Sequence, residues 1–367
     1  MKILDYEYTS AGWKIHKTDF QNVNLIVGDS GTGKTRLLNT MFNFGTHVAQ
    51  GTTAGISEWN LTLQIDRDKY KWNVVFDGED NKSIVKNETI SRNDEIILTR
   101  EGTDYVFQGK SLPKLPLDQM SVSVLKEEEL IKPIYDGFSK MLRRRFFGDE
   151  LAKNSAIYFG GEKVLRRIGE TRDLHELYKA DLGLSPRLFV LRSYFSDIYE
   201  KIVAFYQESF PYIEAIDIKD GRELSELDVP VGTPVFCIKE RHVDRWIRLP
   251  ELSSGMQKAL LVATDLLALP KGSVYLLDEY ENSLGVGPIN FLPNILASYD
   301  IEMQLFITSH HPYLISKFPI ENWYVAHRKG MEIRFAYGDE LVSRYSISKQ
   351  DKYLQLLNDP YYSDGVE

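Results

Sequence analysis

The run Gly28-Asp29-Ser30-Gly31-Thr32-Gly33-Lys34-Thr35 can hold a chain of phosphates. It follows a short apolar segment of strand type, Asn24-Leu25-Ile26-Val27, and leads into the helix-like RLLNTMFNF that begins at Arg36. This is a G-x-x-x-x-G-K-[ST] loop in the strand-to-helix setting that its chemistry requires. The glycines let backbone N–H groups converge on phosphate oxygens, and the start of the following helix adds partial positive charge. Lys34 is expected to neutralise the β- and γ-phosphates and the Thr35 hydroxyl to ligate Mg²⁺. The residues expected to contact nucleotide therefore run from Gly28 through Asp29, Ser30, Gly31, Thr32, Gly33, Lys34 and Thr35 to Arg36.

A second set of chemical groups ends another apolar run. Gly272-Ser273-Val274-Tyr275-Leu276-Leu277-Asp278-Glu279 reads as a buried parallel strand finishing in two carboxylates. The carboxyl ends of such strands are where α/β proteins place ligands. Asp278 is expected in the metal shell, and Glu279 as the group that orients and activates an attacking water. About thirty residues on, the strand-like Gln304-Leu305-Phe306-Ile307 runs into Thr308-Ser309-His310-His311-Pro312. A histidine at that strand end can hydrogen-bond a terminal phosphate; His310 is the better placed, with His311 next. Upstream of the Asp-Glu strand, ELSSGMQKAL places Ser253, Ser254 and Gly255 at a helix start.

The order GDSGTGKT, LSSGMQK, LLDEYENSLG, FITSHHPYLI resembles ABC-type ATPases of the SMC and OLD grouping, and most of all bacterial predicted ATPases whose Asp-Glu strand continues as D-E-x-E-N-S-L-H. The resemblance implies an α/β fold: a P-loop NTPase of ABC type with an antiparallel β-subdomain, a compact helical insert and no long coiled coil. It also implies ATP and Mg²⁺ as cofactors, and a homodimer or higher homo-oligomer in which Ser253, Ser254 and Gly255 of one copy cap the ATP held by the other. Three positions depart from the pattern: Ser254 replaces a glycine, Met256 stands where Gln or Glu is common, and Gly285 replaces a histidine. Ser253, Gly255 and Glu279 remain, so hydrolysis is expected. The segment after the histidine motif is shorter than a TOPRIM nuclease, so none is expected there. Compact relatives of that kind imply an anti-phage defence ATPase acting on a separately encoded effector, a nuclease or toxin. A RecF-like DNA-binding ATPase is the alternative, although RecF-like chains resemble a DD-x-x-S-E-L-D pattern that this one lacks.

The elements that must position these motifs follow from periodicity. Residues 1–115 form an N-terminal lobe, in which WNLTLQID, YKWNVVFD and EIILTRE alternate as an antiparallel meander. Residues 116–232 are expected as a helical insert, because KEEELIKPIYDGFSKMLRRRFF, ETRDLHELYKADLG and LRSYFSDIYEKIVAFYQESF carry apolar residues at three- and four-residue spacings. Only about 215 residues separate the phosphate loop from the LSSG motif, and heptads are not sustained. Residues 233–345 return to the ATPase core through strands at VFCIKE and RWIRLP, and 346–367 form a tail with an amphipathic stretch, SKQDKYLQLL.

Composition fits a cytoplasmic globular chain of 367 residues, 43% hydrophobic and 26% charged, with no signal-peptide pattern and no membrane-spanning run. The single cysteine, Cys237, excludes an internal disulfide and reads as a small buried hydrophobe. A net charge of −9 argues against wholesale nucleic-acid binding, yet DNA stays possible through one segment. Between Phe138 and Arg167 lie Lys140, Arg143, Arg144, Arg145, Lys153, Lys163, Arg166 and Arg167, either a solvated helix face or a surface for phosphates or an acidic partner. The aromatics from Tyr194 to Tyr212 read as core rather than as a base-stacking platform.

Overall fold

A computed structural model describes residues 1–79, 82–145, 162–180, 182–224, 233–282, 288–342 and 355–366. Gly285, Lys153 and most of the SKQDKYLQLL stretch lie outside these residues, as does the Lys163 side chain. The chain divides into two units: Met1–Arg144 with Lys271–Tyr280 and Glu302–Glu367, and Arg145–Pro270 with Glu281–Ile301.

The first unit is built on one mixed sheet, fourteen strands among the described residues. Its strands in chain order are β1 (Lys2–Ser10), β2 (Trp13–Asp19), β3 (Val23–Val27), β4 (Ser57–Ile65), β5 (Asp68–Glu79), β6 (Lys82–Arg92), β7 (Glu95–Glu101), β8 (Asp104–Phe107), β9 (Lys110–Ser111) and β10 (Met141–Arg145). The second unit contributes β11 (Ile213–Asp220), β12 (Pro234–Glu240) and β13 (Ile247–Arg248), after which β14 (Val274–Asp278), β15 (Gln304–Ser309), β16 (Trp323–Lys329) and β17 (Glu332–Tyr337) complete the large sheet. Its order is β10-β14-β15-β3-β16-β17-β2-β1-β4-β5-β6-β7-β8-β9. β14, β15, β3 and β16 are consecutive and parallel. That pairing explains their near-continuous apolar sequences, for strands covered on both faces gain nothing from polar alternation. From β1 through β4 to β9 every pairing is antiparallel, and this is the expected meander.

The helix Lys34–Gln50 buries Leu37, Leu38, Met41, Phe44 and Val48, one stripe at three- and four-residue intervals. Phe44 meets Trp72 edge-on at 5.0 Å and Phe138 at 5.4 Å, joining the helix to the meander. The described helices stay short, the longest being this one at 17 residues, so the fold carries no long coiled-coil arm there. None of them is long and apolar enough to cross a membrane.

One expectation is overturned. MLRRR, read as helix, is the strand β10, next to β14 in the sheet. Arg143 and Arg144 are each only 7% exposed, so neither contributes to a solvated basic face. Helical spacing of the apolar residues lost to a tertiary partner: Arg143 lies in the sheet because a carboxylate on β14 receives it.

In the second unit, β12, which contains VFCIKE, pairs on one side with β11 and on the other with β13, the two residues Ile247 and Arg248 of RWIRLP, as a separate antiparallel sheet. Cys237 is fully buried there, and burial pushes its thiol up to about 12, which suits an inert core residue. A buried pair, Arg187 to Asp265 at 3.1 Å, joins the helices Leu184–Tyr194 and Ser254–Ala268. Phe205, Tyr206 and Phe210 are core, whereas Tyr194 and Tyr212 reach solvent.

Inside the meander, Glu88 and Arg100 are buried as a pair, with side chains fully shielded. Arg100 also donates to the carbonyls of Gly102, Pro116 and Gln119, so it pins the turn after β7 and the segment beyond β9. Arg100→Met strands the Glu88 charge and is expected to cost about 3–5 kcal/mol in urea unfolding. Arg100→Met with Glu88→Leu should recover part of that loss. Equal destabilisation in the single and double variants would show that only the carbonyl bonds matter.

Candidate functional site

The four parallel strands deliver their last residues to one edge of the sheet, which is how an α/β fold gathers groups distant in sequence. After β3 comes the loop Gly28–Gly33, β14 ends in Asp278 with Glu279 next, after β15 comes His310, and Arg328 lies near the end of β16. A cavity of about 370 Å³ there is lined by Ser30, Gly31, Gly33, Lys34, Thr35 and Arg36, with Trp13, Glu279, His310 and Arg328 completing it. All of these belong to the first unit. Of the two adjacent histidines, His310 lines the cavity.

The loop is held in shape by its own residues. Lys34 Nζ donates to the carbonyls of Gly28 at 2.7 Å and Asp29 at 2.8 Å. The Thr32 hydroxyl donates to the Asp29 carbonyl, and the Asp29 carboxylate accepts from the Ser30 N–H. Gly33 has φ +101°, and a Cβ there would collide with the Ile333 side chain, so both the backbone and the space at the turn into the helix favour glycine. The helix has no acidic residue in its first turn and no side-chain cap, which leaves its leading N–H groups facing the loop.

Asp278 is 1% exposed. Its Oδ1 accepts from the hydroxyls of Thr35 at 3.1 Å and Thr308 at 2.9 Å, and its Oδ2 from Arg143 at 2.6 Å. Arg143 is held a second time by Asn39, on the helix that follows the loop. Glu279 takes the left-handed region at φ +50°, uncommon for a residue with a side chain, and its N–H donates to Thr308 Oγ1 at 2.7 Å. Thr308 thus joins the two carboxylate positions, donating to one and accepting from the other.

These groups suit a polyphosphate with a hard cation. Lys34, Arg36 and Arg328 supply positive charge along the cavity, and the Thr35 hydroxyl and Asp278 carboxylate are oxygen donors of the kind that Mg²⁺ prefers. The Arg36 guanidinium lies 3.7 Å from the Trp13 ring centroid and that of Arg328 lies 5.7 Å from it. Trp13 and Arg328 carried no sequence signal, since nothing in their neighbourhoods matches a motif, and Arg143 stood out only as one cation of a basic segment. Thr308 lay within the motif read for its histidine.

Ser253, Ser254 and Gly255 belong to the second unit. Ser253 caps the helix Ser254–Ala268, its hydroxyl accepting from the Met256 N–H at 3.3 Å. Tyr206 donates to the Met256 carbonyl at 3.1 Å, and the buried Lys258 donates to the Asn282 carbonyl at 2.7 Å. Just upstream, Arg248 gives Glu251 two bonds of 2.9 Å and Arg245 gives a third of 3.0 Å. The Arg248 bonds hold the Glu251 carboxyl down at about 2 from an ordinary 4.5, so their stabilisation is full above the ordinary value and is lost as pH falls toward 2.

A family model described as "AAA domain, putative AbiEii toxin, Type IV TA system" matches residues 133–316, which include LSSG, the Asp-Glu strand and the histidine motif. No curated protein matches the chain. Among solved structures, an SMC head bound to the C-terminal winged-helix domain of ScpA is similar over 91% of this chain and 96% of that one, with a TM-score of 0.53 at 11% identity. The SMC head domain from Thermotoga maritima aligns over 92% and 99%, with a TM-score of 0.47 at 13% identity. The first of these likenesses identifies the fold as that of an SMC head.

Gly33→Ala adds a methyl against Ile333 and strains the left-handed turn, and is expected to lower stability by about 1–3 kcal/mol in chemical unfolding. Adding Ile333→Ala removes the collision but not the strain, so recovery should be partial. A Gly33→Ala chain as stable as wild type would contradict the loop geometry.

Proposed function

The chain belongs to the family of AAA domains described as putative AbiEii toxin of a type IV toxin–antitoxin system, with the fold of an SMC head, and on that footing we propose that it is a Mg²⁺-dependent ATPase working as a nucleotide-gated switch. The observation that carries the proposal is the convergence of Lys34, Thr35, Glu279 and His310 on one cavity, with Asp278 directly behind Thr35.

On this reading the loop N–H groups and Lys34 bind the β- and γ-phosphates, exchanging the carbonyls of Gly28 and Asp29 for phosphate oxygens. Thr35 and Asp278 would hold Mg²⁺, which supplies positive charge against the phosphate oxygens. Glu279 accepts a proton from the attacking water, and its left-handed backbone is kept in place by the bond to Thr308. His310 donates to the terminal phosphate. Ser253, Ser254 and Gly255 of a second copy close over the nucleotide, so that occupancy favours the paired state. A functional division at residues 115, 232 and 345 goes with this assignment.

The switch acts on a separately encoded effector in anti-phage defence. The family description, which names a toxin–antitoxin system, fits a chain that works with another gene product. The alternative, a RecF-like ATPase on DNA, draws less support. Arg143 and Arg144 are buried, which removes two of the basic segment's charges from the surface, although Arg166 and Arg167 stay exposed beside Glu170 and Glu176. DNA-stimulated ATP hydrolysis by the isolated chain would favour that alternative; co-purification with the product of the adjacent gene favours defence.

Lys34→Ala should abolish binding of a fluorescent ATP analogue, and unchanged affinity would overturn the assignment of the loop. Glu279→Gln should retain nucleotide, lower turnover by about 10²–10⁴-fold and hold the chain as a dimer in ATP-containing size-exclusion runs. Wild-type turnover in that variant would remove Glu279 from the mechanism.

A further inference from the structure

Arg143 and Asp278 lie 135 positions apart, yet their side chains are 3% and 1% exposed and meet at 2.6 Å. Burying two charges is costly, and the cost is met only where each is fully engaged. Here the engagement is asymmetric. Oδ1 of Asp278 faces the two threonine hydroxyls, whereas Oδ2 is given over to the guanidinium. Asn39 holds the same guanidinium, so Arg143 is fixed to the phosphate-loop helix and to β14 at once. A positive charge thus already sits on the carboxylate that the metal reading assigns to Mg²⁺.

We propose that Arg143 is a positioning residue that sets the Mg²⁺ affinity of this site and makes metal binding depend on nucleotide. The inference rests on the nucleotide-site reading above. The guanidinium neutralises Asp278 when no metal is present, so the buried carboxylate is stable in the empty protein. It also opposes the approach of a second cation, since a like charge a few ångströms away in a water-poor site is unfavourable. Only a ligand that brings its own negative charge offsets that opposition, and a triphosphate does so. Arg143 would thereby make occupation of Thr35 and Asp278 by Mg²⁺ depend on the nucleotide's charge. Arg143 acts on the metal in this scheme through Asp278.

The test titrates Mg²⁺ into the full-length chain holding a fluorescent ATP analogue and reads the metal concentration that half-saturates the gain in affinity. Arg143→Met and Arg143→Gln remove the charge and should shift half-saturation to about tenfold lower Mg²⁺. Arg143→Lys keeps the charge and should stay near wild type, a rescue that loss of packing alone would not produce. Thermal melting of each variant identifies the folded ones. If neither neutral variant folds, Asn39→Leu, which removes the second anchor of the guanidinium, should shift half-saturation the same way. An unchanged or higher Mg²⁺ requirement in a folded neutral variant, or in Asn39→Leu where it is the one available, overturns the role of Arg143. A wild-type chain that binds nucleotide without any response to Mg²⁺ overturns the metal reading itself, and this inference with it; the wild-type titration shows which of the two has failed.

Discussion

A carboxylate that cannot reach water organises the first unit. Asp278 ends a strand buried along its whole length, and its charge is tolerable because three donors from three different elements close on it. Thr35 lies in the first turn of the helix after the phosphate loop, Thr308 belongs to β15, and Arg143 to β10. Each donor is held in turn by the packing of its own element, so the geometry of the carboxylate and the register of the sheet determine one another. Displacing one strand by a residue would break both, because a shift of one turns every side chain to the opposite face.

The same constraint explains the backbone at Glu279. Directly after a carboxylate so enclosed, the chain must turn to leave the sheet. Thr308 supplies the bond that holds the turn in the left-handed region. Strain of this kind persists where surrounding contacts over-determine it. That bond fixes the point on the chain from which the Glu279 side chain reaches the cavity.

Sequence alone made the loop, the Asp-Glu strand and the histidine motif visible, because their chemistry depends on neighbours within a few residues. The meander was legible for a similar reason: alternation at WNLTLQID, YKWNVVFD and EIILTRE records one face in the core and one outside. β10 was not legible. Three arginines in succession look like solvent-exposed helix until Asp278, far along the chain, is known to receive one of them. VFCIKE and the Ile247–Arg248 part of RWIRLP were readable as strand, but β11, which pairs with VFCIKE, was not, since a register shift between Ile213 and Ala215 breaks its alternation. Trp13 and Arg328 reach the cavity solely through sheet order, which no spacing rule encodes.

The far end of the large sheet bears on how copies of the chain can join. The meander dwindles from the twelve residues of β5 to the four of β8 and the two of β9, where Lys110 and Ser111 are both exposed. A border that short, carrying a lysine, is a poor template for a further strand. Self-association through that border by backbone pairing is therefore disfavoured. That leaves faces formed by side chains, where recognition is set by shape and charge and can be made or undone without remodelling the sheet.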